Sequence, residues 1–169
     1  ENLAVQVSAR RSYTDFLNTP TYTTFSEKAF QDSEVDNESE FYFYDFTAKL
    51  IYEINPYQQV SVSMINMSNN LNYLEATNDS IAPNRSNLNQ DNFSIGSQLQ
   101  SEWTDDFTSQ LSFYYTQYAL DALSISNNDL QQLKQNNLVK ESNVKLSTNY
   151  ILKERINWMN GYEFTETGI

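Results

Sequence analysis

Five acids at alternate positions, Asp32, Glu34, Asp36, Glu38 and Glu40, form the densest run of metal-binding residue types in the chain. Oxygen donors in a loop suit calcium, so this comb is a calcium candidate. It lacks the glycine turn of an EF-hand loop, however, and alternating acids are also the pattern of a solvated extended segment. Directly after the comb stand Phe41 and Phe43, and farther on Tyr114 and Tyr118. Such rings either stack on a bound ligand or pack against neighbouring protein, and their types alone leave both readings open. Arg10 and Arg11 are adjacent, so an extended backbone sends one to each side. Arg10 is placed to meet an acid of whatever fills the interior, and Arg11 to reach a charged surface layer. The chain has no Cys and no His. That removes disulfides, thiol catalysis, cysteine-ligated zinc, the usual proton shuttle and the base of a hydrolase triad. No catalytic residue, cofactor or enzymatic activity is expected.

A set of alternating runs must position these groups. In FYFYDFTAKLIYEIN, Tyr42, Tyr44, Phe46, Ala48, Leu50, Tyr52 and Ile54 fall on one side and Asp45, Thr47, Lys49 and Glu53 on the other. A helix would scramble that sorting. Asn55-Pro56-Tyr57 ends the run, and Val60, Val62 and Met64 then alternate with Ser61 and Ser63, giving a hairpin with one apolar and one polar face. Leu3, Val5, Val7 and Ala9 repeat the pattern, as do Phe93, Ile95, Leu99 and Trp103, then Phe107, Leu111, Phe113 and Tyr115. Val144, Leu146, Thr148, Tyr150 and Leu152 form a further run, and another starts at Ile156 and Trp158. Strands are therefore predicted near 3–13, 41–54, 58–67, 93–103, 107–118, 139–152 and 156–166. Long polar connections alternate with short turns between them. In the third long connection, Leu130 and Leu133 lie three apart after Asp129, a spacing that fits a short helix.

Composition narrows the architecture. Aromatics make up 14% of the chain, yet mean hydropathy is −0.63, so apolar groups are spent in thin stripes and a thick two-sided core is not expected. No run is long enough for a transmembrane helix, and a net charge of −12 argues against nucleic acid as a partner. Segregation of long and short connections to opposite ends is the habit of outer-membrane barrels. Aromatics also flank both ends, with Tyr52, Tyr57, Trp103, Phe107 and Trp158 near the short turns and Tyr42, Tyr44 and Tyr115 toward the long connections. The expected fold is thus all-β: a transmembrane antiparallel up-and-down β-barrel with long extracellular loops and short periplasmic turns. Residues 1–169 form an arc of about seven strands in a single barrel domain. Seven is odd and bacterial barrels close with an even number, so the chain is expected to be a piece of a longer protein.

The stretch SARRSYTDFL, followed by a long connection and FYFYDFTAKLIYEINPYQQVSVS, resembles the barrel of a TonB-dependent outer-membrane receptor of the SusC/RagA-like or a related nutrient-importing kind. The matching positions are Phe43, Tyr44, Asp45, Ala48, Lys49, Leu50, Tyr52, Ile54 and Asn55. The resemblance implies a barrel of about 22 strands around an N-terminal plug. It implies active uptake of a scarce nutrient (metal chelate, vitamin, glycan or peptide) across a bacterial outer membrane. The implied partners are the rest of the barrel and its plug, a TonB-type energising protein, in some members a surface lipoprotein, and the surrounding lipid and lipopolysaccharide. Phe41, Phe43, Tyr114 and Tyr118 become candidates for ligand contact, and Arg10 for contact with the plug. The alternatives are a passive or secretion-type barrel channel and a soluble β-rich binding module.

Overall fold

The alternating runs pair in the order in which they occur along the chain. In a computed structural model, which describes residues 2–12, 20, 40–75, 84–126, 131–152 and 156–169, they build one open sheet of seven strands. These are β1 (Leu3–Arg11), β2 (Glu40–Asn55), β3 (Gln58–Glu75), β4 (Asn84–Thr104), β5 (Phe107–Ser126), β6 (Gln131–Leu152) and β7 (Ile156–Gly168). Every neighbouring pair is antiparallel. The β2–β3 turn is set by Asn55, whose Oδ1 accepts the Tyr57 amide at 2.9 Å while its Nδ2 donates to Gln58 Oε1 at 3.0 Å. The side chain thus supplies the turn bond beside Pro56, which has no amide to give.

Directly paired residues share a face, so the register sorts the whole sheet. One row runs straight across all seven strands on the apolar face: Leu3, Tyr52, Val60, Leu99, Leu111, Leu146 and Tyr162. The next holds Val5, Leu50, Val62, Ser97, Phe113, Val144 and Phe164. Among the described residues nothing covers this face. Among the described residues no hydrophobic side chain is buried, and Leu50, Phe113 and Leu146 are 37%, 43% and 39% exposed. The stacked sheets of a sandwich would have enclosed them. The belt also slides across the sheet. Measured from the row through Tyr52 and Tyr162, it extends six residues away from the short turns and two toward them on β2, ending at Phe46 and Ile54. On β7 the figures reverse, two and six, ending at Phe164 and Ile156.

Far from the short turns the faces exchange character. The face that was apolar now carries Asn66, Asn70, Asn72, Asn87, Asn89, Asp121 and Asn136. These amides pair across strands, Asn70 Nδ2 with Asn89 Oδ1, Asn87 Nδ2 with Asn72 Oδ1 and Asn136 Nδ2 with Asp121 Oδ1. On the opposite face of the same strands lie Phe41, Phe43, Leu71, Leu88 and Leu120.

Strands β3 to β6 are longer than the alternation predicts. Residues 68–75 and 84–92, expected as loop, continue β3 and β4, and 119–126 and 131–138 continue β5 and β6. The helix fitted to Leu130 and Leu133 is replaced at Gln131 onward by strand, where Leu133 pairs with Ser124. Side-chain amide pairing and an unbroken ladder with the neighbouring strand outweigh the weak local helical spacing. The acids Asp32, Glu34, Asp36 and Glu38 lie outside the described residues, as do Asp129 and Leu130; Glu40 opens β2.

Candidate functional site on the polar face

On the strands that carry the belt, the polar face presents hydroxyls and amides instead of apolar groups. Its central row is Gln6, Lys49, Ser63, Gly96, Tyr114, Asn143 and Thr165, flanked by rows containing Thr47, Ser61, Ser94, Gln98, Ser112 and Thr116. Strand alternation alone puts them together, because each has an apolar neighbour one step along the chain. Toward the β7 edge they form two hydrogen-bonded groups. Tyr114 Oη donates to Glu141 Oε1 at 3.1 Å, and Thr167 Oγ1 to Glu141 Oε2 at 3.4 Å. Asn143, 1% exposed, donates through Nδ2 to Glu163 Oε1 at 2.9 Å and Thr165 Oγ1 at 2.7 Å. Lys145 Nζ stands 3.6 Å from the other oxygen of Glu163.

Farther from the short turns the same face forms a shelf of rings and amides. Phe41 and Phe43 sit two apart on β2 with ring centroids 6.1 Å apart at 43°. Phe43 pairs with Asn69, whose Nδ2 donates to Gln90 Oε1 at 3.3 Å, and Gln90 Nε2 donates to Tyr118 Oη at 3.1 Å. Phe43 and Tyr118 are therefore joined across β2 to β5 by two amides, a span of about 14 Å at the usual strand spacing. Tyr114, four residues along β5 toward the short turn, belongs instead to the Glu141 network. Of the four aromatic candidates, the fold gathers three on the shelf and sets one apart.

Arg10 lies opposite Asp45 on the polar face, as its parity predicts. Its Nη2 is 2.8 Å from Asp45 Oδ2, and Nε donates to both carboxylate oxygens at 3.1 and 2.9 Å. Asp45 is 5% exposed, so its charge is held beneath the guanidinium, while the Arg10 side chain stays 72% exposed. The bond tying β1 to β2 beyond it is Phe43 N to Ser12 Oγ at 2.8 Å, returned by Ser12 N to Phe43 O at 2.8 Å. Sequence reasoning missed Asp45 as the partner because a long connection separates the strands and hides their register; an acid set among the aromatics of β2 was the available signal. Asn143 gave no signal, since one amide among many in the chain carries no mark of burial.

A hollow of about 430 Å³ opens on the central row, lined by Gln6, Thr47, Lys49, Ser63, Ser94 and Tyr114 among others, with Gly96 at its floor. Among the described residues no group of three or more acids is arranged to hold a metal ion. What the face offers is hydrogen-bond donors and acceptors for a polar occupant, bordered by the ring shelf. Compared with known proteins, the chain matches no family model and no curated protein.

Proposed function

We propose that the chain is part of the wall of an outer-membrane β-barrel, and that the barrel takes up a scarce nutrient as a TonB-dependent receptor. The observation that carries the membrane part is the uncovered belt and its slide. A four-residue shift across the five steps from β2 to β7 is about 13 Å over about 24 Å. A belt lying flat in a bilayer then needs strands tilted by about 30°, near the roughly 35–45° of membrane barrels. A water-soluble sheet has no reason to slope its apolar stripe in this way. The belt face takes lipid and the hydroxyl face lines the bore. The aromatic row Phe107, Tyr150 and Trp158 next to the short turns, where Phe107 meets Tyr150 edge-on at 6.1 Å, is the periplasmic girdle. Strands of 18 to 22 residues in β3 to β6 exceed the ~9 to 11 that cross hydrocarbon, so the amide-paired ends stand in water outside the cell.

Among the described residues the outer edges of β1 and β7 are unpaired, and in lipid they require further strands, since an unpaired edge there leaves backbone groups unsatisfied. Import, rather than passive flow, rests on the likeness of the β1–β3 stretch to that receptor family and on an inner wall whose hydroxyls and amides suit a polar plug. In this reading Phe41, Phe43 and Tyr118 border the ligand's entry. Arg10 keeps donors beyond those given to Asp45 for an acid on the plug.

The test uses cells carrying the full-length protein. Energised uptake of the nutrient that stops when the inner-membrane proton gradient is dissipated supports the importer; a steady conductance in planar bilayers without any energy source would make it a pore. Phe43→Ala should lower uptake at an unchanged outer-membrane level, and unchanged uptake would return the shelf to a packing role.

A further inference from the structure

Lys49 stands apart from the other charges of the polar face. Arg10 is paired with Asp45 and Lys145 with Glu163, whereas among the described residues no carboxylate or hydrogen-bond acceptor partners Lys49. Its hollow is also free of acids: every residue that lines it is apolar, hydroxylic, an amide or Lys49 itself. That is notable in a chain with 22 acids to 10 bases. Ser63 pairs directly with Lys49, and Gly96 lies one strand further along the same row. A Cβ on Gly96 would meet the Phe113 carbonyl oxygen at 3.5 Å and Ser63 Oγ at 3.7 Å in ordinary contact; without one, the floor between Ser63 and Tyr114 stays low. On β3, Val62 and Met64 flank Ser63 on the belt face, which puts the hollow at the middle of the belt.

We propose that this hollow is an anion site that receives one carboxylate, bound by the Lys49 ammonium and by hydroxyls of Thr47, Ser63 or Ser94. The inference rests on the barrel reading, in which the hollow faces the bore at the level of the hydrocarbon. Ionisable groups at that depth face the interior, where they pair with one another or mark the path of a solute. A carboxylate matches a single ammonium in charge, and its spare lone pairs match the surrounding hydroxyl donors. Two sources share this chemistry: an Asp or Glu of the polypeptide that fills the bore, and a small free carboxylate passing through it.

The experiment compares the thermal unfolding midpoints of the full-length protein, Lys49→Met and Lys49→Glu in detergent, with and without added acetate. A bound carboxylate puts wild type above Lys49→Met and Lys49→Glu lowest, because an acid then faces an acid. If that order holds without acetate, the carboxylate belongs to the polypeptide in the bore. If wild type rises above Lys49→Met only as acetate is added, the carboxylate is a free solute. Lys49→Met equal to or above wild type in both conditions overturns the site, since no bound carboxylate is then lost with the ammonium. A lipid-phase photolabel on wild type separates this failure from that of the barrel: labelled Leu50 and Val62 leave the barrel standing, and unlabelled ones remove it together with the site.

Discussion

Val62→Arg is the perturbation whose cost the proposed barrel specifies most closely. Val62 lies between Val60 and Met64 on the belt face of β3, at the centre of the belt on that strand. Arginine at the midplane of a barrel's lipid face costs about 2–4 kcal/mol and near an interface about 0–1 kcal/mol. Asn70 is on the same strand and the same face, eight residues along. At about 3.3 Å per residue on a tilted strand it stands about 20 Å higher, in water. Val62→Arg should therefore shift the folding equilibrium by roughly 30- to 700-fold at 1.4 kcal/mol per decade, and Asn70→Arg by a small factor. Ser61→Arg, one step from Val62 and facing the bore, should also cost little. The assay is reversible denaturant titration of the full-length protein refolded into lipid vesicles, read by tryptophan emission. Equal costs at positions 62 and 70, or a cost at 61 matching that at 62, would refute the belt as a lipid contact.

Three further outcomes follow from the same geometry. Removing the Asn70–Asn89 bond with Asn89→Ala should cost about 1 kcal/mol locally, seen as faster amide exchange in 68–75 and 84–92 with the belt strands unchanged. Trp103, whose Nε1 donates to Ser109 Oγ at 2.8 Å, and Trp158 both sit on the belt face beside short turns. In single-tryptophan variants their emission should be quenched more by lipids brominated near the headgroup than by lipids brominated at mid-chain. Arg10→Met should destabilise the β1–β2 pairing by leaving Asp45 charged and covered, and Arg10→Met with Asp45→Asn should recover much of the loss, as a double-mutant cycle in the same titration would show.

The sequence was most legible where an apolar face and a polar face make opposite demands on successive residues. From Tyr42 to Ile54 and from Val60 to Met64 that demand writes an alternation no helix reproduces, and the turn at Asn55-Pro56-Tyr57 closes it. Beyond Met67 the faces exchange character and only isolated residues such as Leu71 and Leu88 mark the second apolar side, so SNNLNY and NRSNLNQD read as polar connections even though they are strand. What holds them is cross-strand amide pairing, which depends on a register that residue types do not announce. The same blindness produced the helix at Leu130 and Leu133. The polar-face candidates were legible as a face and not as a site: parity placed Phe41, Phe43, Tyr114, Tyr118 and Arg10 together, but the Asn69–Gln90 bridge, the Asp45 partner and the Glu141 network needed three-dimensional neighbours.

Nitroxide scanning of residues 44 to 52 on β2, in the full-length protein in lipid vesicles, tests the lipid-facing belt most directly. The expected result is a two-residue rhythm: labels at 46, 48, 50 and 52 relax with oxygen dissolved in the bilayer, and those at 45, 47, 49 and 51 with a water-soluble nickel chelate or with neither. If labels at 46 to 52 on the belt side are shielded from both reagents, or favour the chelate, those side chains do not meet lipid and the wall of a membrane barrel is the wrong description.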